Sequence, residues 1–72
     1  MADKPQKPTT IGQKIRIWRK KKGLTQEGLA RKADIPYTTL AKIESDSSQN
    51  PTLDTITKIA NGLEITLNEL TS

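Results

Sequence analysis

Residues 24–45 read LTQEGLARKADIPYTTLAKIES, and the way this stretch divides decides the fold. Leu24 leads in, Thr25 is a helix-capping residue type, and the run behind it places Leu29, Ala30 and Ala33 on one inward face. Gly28 is the weak point of that helix, costing about 0.8–1.0 kcal/mol relative to alanine. Asp34-Ile35-Pro36 follows as a three-residue turn. Aspartate tolerates left-handed backbone, Ile35 can plug the core, and Pro36 disfavours helix at the residue before it while preorganising the next first turn. The next helix runs from Tyr37 to Ser45 and buries Leu40 and Ile43.

Working outward, Thr10 can cap a helix beginning at Ile11, in which Ile11, Ile15 and Trp18 recur at i, i+4 and i+7. Lys20-Lys21-Lys22-Gly23 ends it: lysines suit the negative end of the helix dipole, and Gly23 supplies a left-handed stop. On the other side, Asp46-Ser47-Ser48-Gln49-Asn50-Pro51 reads as an exposed loop. Thr52 caps a fourth helix with Leu53, Ile56, Ile59, Ala60 and Leu63 at helical spacing, and Gly62 is expected to help end it. Thr66 with Glu69 has the form of a capping box, which gives a short last helix carrying Leu67 and Leu70. The expected fold is all-α, a compact five-helix bundle over residues 11–72, preceded by a flexible basic arm at 1–10.

Composition narrows the chemistry. Among 72 residues there is no cysteine, histidine or phenylalanine, so Ile, Leu, Ala and one indole must make the core, and neither a disulfide nor a thiolate or imidazole metal site is available. No cofactor is expected. Residues 1–36 hold ten Lys/Arg against three acids, whereas residues 37–72 hold two against five. One basic pole points to a polyanionic partner, bound through counterion release; the plainer alternative is a solvated, lysine-rich face. No apolar run approaches the roughly 20 residues of a membrane span, and nothing resembles a signal peptide, so a cytoplasmic protein is expected.

Two short helices joined by a three-residue turn, with the small Ala30 midway along the first, have helix-turn-helix spacing. The run RIWRKKKGLTQEGLARKADIPYTTLAKIES has the pattern R-x-x-R-x-x-x-G-L-T-Q-x-x-L-A, then an apolar turn residue, then apolar positions ending in Ile43-Glu44. NPTLDTITKIANGLEITLNEL continues it with P-T-L, I-A and L-x-E-L. Over Ile11 to Leu70 the chain resembles the Cro/CI-type (XRE) helix-turn-helix DNA-binding family, with the lambda-repressor-like fold.

The resemblance implies roles for particular residues. The third helix would enter the major groove with Tyr37, Thr38, Ala41 and Lys42 facing base edges. Lys42 can donate to guanine, Thr38 can bond either way, and Ala41 can touch a thymine methyl. Tyr37 departs from the smaller polar residue common in the family, and base contact, phosphate bond and packing beside Pro36 all stay open for it. Phosphates would be met by Thr25, Gln26, Lys14, Ser45, Ser47 and Asn50, with Gln26 bracing the front of the recognition helix. A helix N-terminus favours anions on physical grounds alone. The resemblance also pairs Arg19 with Glu44 as a partly buried structural bridge, which removes Glu44 as a catalytic candidate, and Trp18 is read as core. The loop departs from the family in having Asp46 where glycine is frequent and neutral residues where Arg or Lys is common. Lys4 and Lys7 serve either as a DNA-touching arm or as a solubilising tail.

The expected function is a transcriptional regulator, a repressor, that binds a short palindromic operator on double-stranded DNA as a homodimer, formed in solution or only on DNA. The alternatives are an antitoxin-type regulator with a protein partner and a helical interaction module without DNA. An enzyme is argued against, because scattered acids on separate helices do not make a site.

Overall fold

The computed structural model describes residues 10–45 and 50–71. They form five helices: α1 (Ile11–Lys21), α2 (Gln26–Ala33), α3 (Tyr37–Ser45), α4 (Leu53–Leu63) and α5 (Leu67–Thr71). No strand occurs among the described residues, and no helix among them is long and apolar enough to cross a membrane. The expected arm falls outside the described residues except for Thr10, and Ser47 lies outside them too.

Threonine starts four of these helices by satisfying orphan amide donors. Thr10 and Gln13 form a reciprocal capping box on α1, Thr25 Oγ1 accepts from the Gly28 amide at 2.9 Å, and Thr52 Oγ1 accepts from Thr55 at 3.2 Å. At α5 the Glu69 amide donates to Thr66 Oγ1 at 3.0 Å while Glu69 Oε1 accepts from the Thr66 amide at 2.9 Å. Each such cap contributes about 1 kcal/mol.

Three helices end in the same way, with a left-handed residue followed by an apolar one. Gly23, Asp34 and Glu64 have φ of 69°, 60° and 62°. Behind them the amides of Leu24, Ile35 and Ile65 reach back to the carbonyls of Arg19, Ala30 and Ala60, at 3.0 Å in each case. This is the Schellman arrangement, in which the apolar residue also packs back onto the core. The stop of α4 is therefore Glu64, which corrects the expectation for Gly62. Gly62 lies inside α4, where an added Cβ would stand 3.0 Å from the Ala33 amide nitrogen. Its role is close approach of α4 to α2, the most extensive helix pair in the molecule.

The core is small and apolar. Ile15, Leu29, Leu40, Ile59, Leu63 and Leu70 are fully buried, two from α4 and one from each other helix, and each buried side chain contributes about 1.5–3 kcal/mol. Trp18 and Ile35 pack at its margin. Leu53 departs from the expected stripe, being 68% exposed. It is the first residue of α4, one turn before Ile56, and there the stripe outruns the core.

Candidate nucleic-acid interface

Helix α3 is oriented by its apolar side. Leu40 and Ile43 are buried, which leaves Thr38, Lys42 and Ser45 exposed, Tyr37 47% exposed and Ala41 half-buried on the opposite face. The side chains of Thr38, Lys42 and Ser45 make no hydrogen bond or ion pair among the described residues. The four residues expected to read bases thus share one outward face. Asn50, beyond the undescribed part of the loop, is exposed as well.

Both ends of α3 are fixed by side-chain bonds. At its C-terminal end, Glu44 accepts from Arg19 Nε at 2.9 Å and from Arg19 Nη2 at 3.1 Å. Arg19 Nη1 also donates to the Leu24 carbonyl at 2.9 Å, so one guanidinium joins α1, the segment entering α2, and α3. Gln26 Nε2 donates to the same Glu44 carboxylate at 3.0 Å, and at the front of α3 Tyr37 Oη donates to Gln26 Oε1 at 3.4 Å. Gln26 therefore spans α3 from its first residue to its penultimate one. This continuous chain, Arg19 to Glu44 to Gln26 to Tyr37, was not legible from spacing: its contacts are separated by 25, 18 and 11 residues.

Beside Tyr37, the N-terminus of α2 is half-capped. The Gly28 amide is taken by Thr25 Oγ1 and the Leu29 amide by the Thr25 carbonyl, leaving those of Gln26 and Glu27 without intrahelical acceptors. Such a terminus carries partial positive charge.

Lys14 is placed elsewhere. Its ammonium donates to the Thr71 carbonyl at the end of α5, at 2.8 Å, whereas α1 meets α3 on another flank. The physical reason is helical phase. Lys14 is about 200° around α1 from Gly12, and an added Cβ at Gly12 would overlap the Ile43 carbonyl oxygen of α3. Trp18 lies against the core with the Lys21 ammonium 5.0 Å from its ring centroid. Among the described residues no group of His, Cys, Asp or Glu could hold a metal ion.

A fully helical domain that presents one pinned helix outward beside a positive helix terminus has the construction of a helix-turn-helix domain. The profile of a helix-turn-helix family matches residues 15–70. The chain is 45% identical over 56 residues to the immunity repressor protein of Bacillus phage phi105, covering 78% of this chain and 38% of that protein. It is 33% identical over 60 residues to the HTH-type transcriptional regulator SinR of Bacillus subtilis (strain 168), covering 83% and 54%. Among solved structures, the restriction-modification controller protein C.AhdI from Aeromonas hydrophila superposes with a TM-score of 0.79 at 34% identity, over 86% of this chain and 92% of that one. SinR, the master regulator for biofilm formation, solved in complex with DNA, gives 0.80 at 32% identity, over 88% and 100%. The chain belongs to the Cro/CI-type (XRE) helix-turn-helix family. It spans 38% of the phage repressor and 54% of SinR.

Proposed function

We propose that the chain is a sequence-specific DNA-binding transcriptional regulator, a repressor, that lays α3 in the major groove of a short palindromic operator. The observation that carries this reading is the outward face of α3, polar and unengaged at Thr38, Lys42 and Ser45 while both ends of the helix are fixed. A groove about 12 Å wide admits a helix, and its edges offer distinct donor and acceptor patterns. Lys42 donates to guanine, Thr38 donates or accepts, Ala41 meets a thymine methyl, and Tyr37 stands at the rim.

Backbone contacts come from Thr25, Gln26 and the free amides of α2, joined by Ser45, Ser47 and Asn50 as neutral donors. Two copies bind inverted half-sites about 34 Å apart, one helical turn. The protein works in the cytoplasm, on DNA, and the bonds of Glu44 to Arg19 and Gln26 favour a supporting role for that residue. Support comes from the family, from a repressor and a regulator among its relatives, and from the basic first half of the chain.

Selection of bound fragments from a random duplex pool tests this. The expected product is a pair of inverted motifs centred about 10 base pairs apart. A pool with no enriched sequence after successive rounds overturns the reading.

A further inference from the structure

We infer that Arg16, assisted by Lys20, is a phosphate-binding residue that extends the interface past the C-terminal end of α3. The inference rests on the DNA-binding reading above. Its starting point is the crossing of α1 over α3. Gly12 approaches so closely that an added Cβ would overlap the Ile43 carbonyl oxygen and stand 3.2 Å from Glu44 Cα, and two turns later Arg19 grips the Glu44 carboxylate. Arg16 lies between them in sequence. At about 100° per residue it is turned about 40° from Gly12, on the side away from the buried Ile15, and Lys20 continues that turn by about 40° more. Both are exposed, and this phase sets them on the flank of α1 next to the end of α3.

The charges of α1 separate by use. Lys14 is bound to Thr71, Arg19 to Glu44, and Lys21 covers the Trp18 ring. Arg16 and Lys20 have no partner among the described residues, and α1 contains no acid at all. Helix propensity requires no cation at either position. At the same end of α3, the segment Asp46-Ser47-Ser48-Gln49-Asn50 contains no Lys or Arg. A phosphate passing there has no positive charge from the loop and meets it from α1 instead. A guanidinium suits this task because its planar fork takes two phosphate oxygens at once.

The experiment measures affinity against salt concentration for the wild-type chain, R16Q and K21Q, on a selected fragment and on random duplex, with an unfolding midpoint for each. For R16Q the slope of log K against log salt should fall in magnitude by about one, and affinity at 0.1 M salt should drop about three- to tenfold, alike on both duplexes. Its unfolding midpoint should be unchanged, R16K should recover much of the affinity, and K21Q should keep the wild-type slope. An unaltered slope in R16Q, an equal loss of slope in K21Q, a matching loss of stability, or a change in base preference would each overturn the inference while leaving the function intact. Wild-type protein that binds no duplex at any salt concentration would remove the function itself, and the inference with it.

Discussion

Glu44 receives Arg19 through both carboxylate oxygens, at 2.9 and 3.1 Å, with the two side chains only 3% and 12% exposed. Gln26 adds a third donor to the same carboxylate. Arg19→Ala should therefore lower stability by about 3–5 kcal/mol, since it strands a buried charge. Against a total of about 5–15 kcal/mol for a domain, this removes a large share of the stability. Denaturant titration checks the size of the loss; an Arg19→Ala protein with an unshifted midpoint would show that the pair carries no weight. Glu44→Gln, which keeps the shape and one acceptor, should lose less.

Gly12→Ala and Gly62→Ala should both destabilise, although alanine is the better helix former. Each Cβ meets the backbone of a neighbouring helix, at Ile43 and at Ala33. Overpacking of this kind costs about 1–3 kcal/mol, and Gly12, facing a carbonyl oxygen, should lie at the upper end. Thermal midpoints equal to or above that of the native chain would contradict the close approach.

Glu64→Gly should stabilise by roughly 0.5–1 kcal/mol, because left-handed backbone costs a residue with a Cβ about 1–2 kcal/mol and glycine returns part of that as chain entropy. The substitution also removes the Lys32 to Glu64 pair at 3.3 Å, whose ends are 47% and 71% exposed. Exposed pairs of this sort contribute little. Measuring Lys32→Ala alone isolates the pair, and a less stable Glu64→Gly protein alongside a neutral Lys32→Ala would refute the argument.

Lys42→Ala should relax preference at one base position of the operator by about 1–3 kcal/mol, with unchanged stability, since Lys42 is exposed and unpartnered. Binding measured across all single-base variants of the selected site is the test. A uniform loss over every variant would reassign Lys42 to a phosphate.

Much of this fold was readable from short-range chemistry. Thr10, Thr25, Thr52 and Thr66 act on amides three residues ahead, and Gly23 and Asp34 end helices through backbone shape, so a window of a few residues contains the whole cause. The Arg19 to Glu44 bridge entered through family resemblance, as no local pattern links residues 25 apart. Gly12 was overlooked because its reason lies in another helix, and Glu64 because glutamate gives no hint of left-handed backbone. Leu53 misled because periodicity marks a stripe without saying where its partner surface stops. Arg16 could be singled out only after Gly12 had fixed which flank of α1 faces α3.

The guanidinium of Arg19 also touches the Leu24 carbonyl, at the approach to α2. The angle between α2 and α3 therefore depends on a side chain that neither of them supplies. Residues 25–45 are not a portable cassette: transplanted into a foreign scaffold, they would need an arginine delivered from a third helix before they could present the same face.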